Sequence, residues 1–200
     1  MSGMKHKNSH LLVGYWSRLR NGRDAPDQSD LDPRAIKRLL PYTFILDCER
    51  RPAYRLAGTA LCERYGFELK GTCFFDHWDQ QSAMPLATLL QQGLRFKQPV
   101  ALTSIAVTGT SGMVEIERVL VPLSLRGGEP IRFLGLVQLL SDPGALLGRT
   151  VAHERLIGSQ FVTEDKPRYG QTPPPPRVVL KSHPKAPYLG LVVDRAGPFR

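Results

Sequence analysis

The stretch Val100–Leu140, VALTSIAVTGTSGMVEIERVLVPLSLRGGEPIRFLGLVQLL, reads as three long strands at 100–108, 113–125 and 131–140. Two breaker clusters separate them, Gly109-Thr110-Ser111-Gly112 and Arg126-Gly127-Gly128-Glu129-Pro130. Glycine and proline clusters of this kind between β-rich runs mark hairpins. In the middle run Val114, Ile116, Arg118 and Leu120 alternate with Glu115, Glu117, Val119 and Val121. That is only partly the pattern of a sheet with one wet face.

Working back from Val100, Pro99 ends a helix over 80–97 that carries Leu86, Leu89, Leu90, Leu94 and Phe96. Pro85 stands near its first turn, where proline is tolerated. One helical turn fits Phe74–Trp78 and a short helix fits 59–66, stopped by Gly66. Two short strands precede these, 42–48 and 53–58, joined by Glu49-Arg50-Arg51-Pro52. Before them, Asp32-Pro33 supplies an N-cap and a first-turn proline for a short helix to about Leu39, closed by Pro41. A first helix spans 10–20, with Leu11, Leu12, Tyr15, Trp16 and Leu19 on one face and Asn21-Gly22 as its stop.

Beyond Leu140 the pattern weakens. Residues 141–160 read as a loop and a helix around Val151–Ile157. From Pro167 the composition changes: eight of the 17 prolines lie there, including Pro173–Pro176, and polyproline is an extended spacer. The net charge is +9, and the tail supplies most of it. Lys166, Arg168, Arg177, Lys181, Lys185, Arg195 and Arg200 stand there against Asp194 alone, so the rest of the chain is near balance. Such a spread charge argues against nucleic acid as the main partner, and Tyr169 and Tyr188 are too isolated to act as stacking platforms. The tail patches Val178–Leu180 and Tyr188–Val193 are short enough to suit docking as an added strand.

Three cysteines, Cys48, Cys62 and Cys73, do not make a disulfide framework, and no signal peptide or run of about 18 apolar residues is present. The expectation is a cytoplasmic protein with no transmembrane segment. Phosphate-cradling and nucleophile-elbow motifs are missing, so the chain reads as non-catalytic. Cys73-x-x-x-His77 and His6-x-x-x-His10 have helical ligand spacing, but neither has a second pair to complete a metal site, and none is assigned. No cofactor is assigned either. Glu115 and Glu117 share a face and read as solvated.

The strand–strand–helices–three-strand order is similar to that of a PAS domain, a five-stranded antiparallel sheet with helices on one face. The residues resemble those of a bacterial PAS-like family of short, single-domain proteins found mainly in alphaproteobacteria. The carrying residues are Tyr15-Trp16-x-x-Leu19-Arg20-x-Gly22-Arg23-x-x-Pro26, Asp32-Pro33, Tyr54-Arg55-Leu56-Ala57-Gly58-Thr59, Tyr65-Gly66-x-x-Leu69-x-Gly71 and Val121-Pro122-Leu123-Ser124. The resemblance spans about residues 10–140 and implies an α+β fold with a 42–140 PAS-like domain; the 1–41 helical cap, a 141–166 connection and a 167–200 tail outside the resemblance complete the division. It also implies a sensory or regulatory role without a specified ligand. The cysteine signature of flavin-binding photosensory PAS domains is missing, which argues against a flavin adduct.

On this reading Leu86, Leu90, Leu94, Ile105, Val107, Leu120, Leu123, Phe133 and Leu136 line or fill a cavity between the long helix and the sheet, open to a small molecule. Leu12, Tyr15, Trp16 and Leu19 suit either a homodimer seam or a cap over their own sheet. Arg20 and Arg23, with Asp27 and Asp32, suit either an anion site or internal pairing. Arg55 should face away from Tyr54 and Leu56 and pair on the outer face. Output would pass to a separate signalling protein. The alternative is an adaptor whose basic tail binds nucleic acid or an anionic membrane.

Overall fold

The computed structural model describes residues 4–109, 112–146 and 148–163; the proline-rich tail and its two apolar patches lie outside them. Helix α1 (Lys7–Arg20) is capped by the His6 ring, whose Nδ1 accepts from the Asn8 N–H, and it ends where Asn21 turns left-handed. Strands β1 (Thr43–Asp47) and β2 (Ala53–Ala57) follow, then helices α2 (Thr59–Tyr65) and α3 (Gln80–Arg95). Strands β3 (Val100–Thr108), β4 (Met113–Ser124), β5 (Pro130–Leu139) and β6 (Val151–Phe161) complete the domain.

The sheet is antiparallel with order β2-β1-β5-β4-β3-β6. The α+β architecture expected from the sequence is therefore present, with a sixth strand added. Val151–Ile157 belongs to that strand and is not helical. The misreading has a physical cause. Two irregularities in the β6–β3 register, beside Ala152 and Ile157, break the two-residue alternation that identifies a strand. The short helix expected after Asp32 is a 3-10 turn, Pro33–Ile36, because Pro41 follows too soon for a full helix.

Both faces of the sheet are covered. Leu86 and Leu90 of α3 pack on Leu102, Leu120 and Phe133 of the sheet, with Leu61 and Tyr65 of α2 in the same core. Leu12 and Trp16 of α1 pack on Val119, Val121, Leu123, Leu134 and Leu136 on the opposite face. This explains the incomplete alternation along β4: neither of its faces is wet.

The α1 stripe closes over its own sheet. Leu12 and Trp16 are almost fully buried, Leu19 is half-buried, and the Trp16 indole N–H donates to the Pro122 carbonyl at 2.6 Å. Of the two sequence readings, the intramolecular cap describes these contacts. Truncating Trp16 to Ala should then cost about 3–5 kcal/mol of stability, the range for large aromatics lost from a core. Urea unfolding measures the loss. A stably folded monomer released from a wild-type dimer would instead restore the seam.

Candidate functional site

The side chains that stand out are buried and charged. Arg118 occupies an inward position of β4, between Ile116 and Leu120 and directly opposite Leu102 of β3. Glu154 reaches it from β6, across β3, and the two are 1% and 0% exposed. Both terminal nitrogens of Arg118 donate to the carboxylate, one to each oxygen. The Tyr65 hydroxyl on α2 donates to one oxygen, and the Ser104 hydroxyl on β3 donates to the other at 2.8 Å. Arg118 also donates to the Tyr65 hydroxyl at 2.7 Å and to Ser104 at 3.1 Å. Trp78 lies over the guanidinium, 5.0 Å from its ring centre.

Electrostatics inside this cluster are settled by its own members. Burial alone would raise the Glu154 carboxyl; the Arg118 charge and the three hydrogen-bond donors outweigh it and hold the group below its usual range. Burial alone would lower Arg118, yet the Glu154 charge leaves it raised. Desolvation raises Tyr65, keeping its hydroxyl protonated as a donor. His77 stacks near Tyr65 at 4.8 Å and Phe67 at 5.4 Å, and burial lowers it. Its Nε2 has no hydrogen-bond partner among the described residues.

The space between α3 and the sheet is packed with side chains. Phe44 fills the place over Gly135: a Cβ there would meet the ring at 2.1 Å. Phe74 stacks against Phe44, Tyr54 meets it edge-on, and Trp78 lies tilted against Phe74. Of the nine expected cavity residues, Leu86, Leu90, Leu120 and Phe133 are core members on this side, with Leu94 partly buried against them. Leu123 and Leu136 face α1 instead. Ile105 and Val107 are half-buried on strand positions that alternate with the inward-facing Ser104 and Ala106. A groove of about 340 Å³ remains at the edge of α3, lined by Cys48, Arg50, Pro52, Phe75, Ala87, Leu90, Gln91 and Leu94. The Cys48 thiol in it is pushed up to about 12 by burial and the Asp47 charge, so it stays a neutral thiol.

The remaining candidates have local roles. Arg23 pairs with Asp30 at 2.6 Å and donates to the Leu19 and Arg20 carbonyls, closing the end of α1. Arg20 lies 4.8 Å over the Trp16 ring. Asp27 accepts from the Ser29 and Gly127 N–H groups, and Asp32 caps Arg34. Internal pairing is the arrangement observed. Glu117 is not solvated: it is buried at the start of α1, accepting from the Lys5 and His6 N–H groups and the Ser9 hydroxyl. Arg55 is exposed, but Leu56 does not share the face of Tyr54. The register shift in the β1–β2 pairing sets Tyr54 opposite Leu46 and Leu56 opposite Ile45, leaving Arg55 as the extra residue. Cys73 and His77 bracket one 3-10 turn, and no group of three or more His, Cys, Asp or Glu among the described residues is placed to hold a metal ion.

A PAS domain family model matches residues 4–138, two thirds of the chain. The chain belongs to the PAS domain family. This PAS domain runs past the matched region: β6 and Glu154 lie beyond residue 138. No curated protein matches the chain. Among solved structures it is similar to a Rhodobacter sphaeroides LOV protein, with 16% identity and a TM-score of 0.42, covering 57% of this chain and 71% of that one. It is also similar to the light-state structure of the blue-light photoreceptor Aureochrome1 LOV, with 13% identity and a TM-score of 0.40, covering 57% of this chain and 92% of that one. No helix among the described residues is long and apolar enough to cross a membrane.

Arg118 and Glu154 were missed as a pair by sequence reasoning. The signal available was Arg118 itself, a charge at an apolar register of a central strand. Its partner sat in the stretch whose alternation is broken.

Proposed function

We propose that this PAS domain is a non-catalytic sensory or regulatory module of the cytoplasm that acts through contact with a signalling protein. The observation that carries the reading is the use of the buried charges on one another. The carboxylate, guanidinium and hydroxyls of the cluster face each other inside the core and hydrogen-bond to one another. The groove beside α3 is one place where a small molecule could bind. A homodimer belongs to this reading as well: Leu12 and Trp16 of the α1 stripe are buried on the chain's own sheet, while Leu11 stays exposed beside them.

The second reading, an adaptor working through tail charge, rests on the seven basic residues after Thr163. One experiment separates the two. Full-length protein at about 150 mM salt should bind duplex DNA, single-stranded RNA and anionic vesicles only weakly, because counterion release gives little affinity there without dense phosphate contacts. Sub-micromolar binding that disappears when the seven tail Lys/Arg are changed to Gln would replace the sensor reading. Native mass spectrometry of the same sample reports any retained small molecule and the oligomeric state.

A further inference from the structure

Glu154 has the surroundings of a bound ligand. Arg118, Ser104 and Tyr65 come from β4, β3 and α2, and none belongs to β6. Together they aim two guanidinium nitrogens and two hydroxyls at one carboxylate, the fork-on-carboxylate geometry by which arginine recognises free carboxylates. Trp78 fixes the guanidinium plane from the other side. Arg118 Nε is also buried and has no hydrogen-bond partner among the described residues, so donor capacity exceeds what Glu154 uses.

The strand that brings the carboxylate pairs with β3 along its inner edge from Val151 to Phe161, interrupted by two register irregularities, and it buries few side chains of its own. Of the eleven residues of β6 only Val151 and Glu154 are buried. Its outer edge is held by the Asp79 N–H on the Glu154 carbonyl at 2.8 Å and by the Ser82 hydroxyl accepting from the Leu156 N–H at 2.9 Å. Strands with few buried apolar contacts open at lower free energy than the core of their sheet.

We propose that Arg118, Ser104 and Tyr65 form a carboxylate-binding site, that Glu154 fills it as a ligand supplied by the chain itself, and that β6 is the releasable latch carrying that ligand. Release of β6 frees the strand leading directly into the basic tail, and a carboxylate from another molecule takes the vacated place. The device gives the domain a way to change the strand next to its tail without a ligand in its packed interior.

The test uses full-length Glu154→Ala with formate and acetate as probes, at ionic strength matched with chloride. The melting temperature of the variant should fall and then rise saturably, by about 2–4 °C, with formate or acetate and not with chloride, as expected for a ligand that binds only the folded state. The further change Arg118→Met should abolish the rescue. No carboxylate-specific rise, or an equal rise without Arg118, overturns the site. If Glu154→Ala does not fold, hydrogen exchange of the wild-type protein decides: β6 amides should exchange at least about tenfold faster than those of β4 and β5. Equal protection overturns the latch. Neither measurement depends on which partner the domain contacts, so failure here leaves the sensory reading standing.

Discussion

Changing Arg118 to Met should destabilise the domain by about 3–5 kcal/mol, the cost of leaving one member of a buried ion pair without its partner. Glu154 would remain in a dry pocket with only two hydroxyl donors, and a buried carboxylate short of compensation protonates or drags its strand out. The double change Arg118→Met with Glu154→Leu should recover most of the loss, because apolar residues of similar volume replace buried ion pairs at little cost. Urea unfolding of wild type, both single variants and the double variant closes the cycle. A coupling near zero would mean that the two charges act independently, against the geometry. The pair also sets an acid limit. Glu154 is held below the usual carboxylate range, so its contribution is fully present above the unfolded-state value and is lost as pH falls through the lowered folded value. Acid titration of wild type should show this loss, and the double variant should lack that component.

The sequence made the PAS order legible where glycine and proline punctuated it. The hairpin turns after Thr108 and Ser124 and the stop at Pro99 placed β3, β4 and β5 to within a residue or two. Three things were hidden, each for a physical reason. β6 was hidden because its register irregularities remove the alternation and its exposed face offers no apolar stripe. The direction of Leu56 was hidden because a single extra residue, Arg55, reverses every facing beyond it. The division of the nine cavity candidates between two cores was hidden because α1 covers the second face of the sheet, so both phases of β4 read as apolar. Glu117 belongs to the same oversight: a carboxylate two residues from another looks solvated until a helix start is laid on it. Arg118 was the one visible exception, a charge at a position where its strand neighbours are apolar.

Phe44 decides whether the interior is a cavity or a core. Its ring lies over Gly135, edge-on to Tyr54 at 5.4 Å and stacked with Phe74 at 6.3 Å. Changing it to Ala removes the ring from a fully buried place and should cost about 3–5 kcal/mol. The space left over Gly135 is apolar, and apolar cavities of that kind stay dry and accept small aromatic molecules. Benzene or indole should therefore raise the melting temperature of Phe44→Ala and leave wild type unmoved. The reciprocal change, Gly135→Ala, puts a methyl group where the Phe44 ring already stands, and all three nearest atoms of that ring lie within 2.5 Å. Such overpacking costs about 1–3 kcal/mol or more, and Phe44→Leu in the same chain should return part of it by vacating the space. Thermal unfolding of wild type and the three variants measures both effects. If wild type responds to the probes as strongly as Phe44→Ala, a cavity is already open beneath α3 and the interior is a ligand site. If only the truncated variant responds, the aromatic cluster is a plug, and the signal this domain reads has to reach it through its surface, its groove or its latched strand.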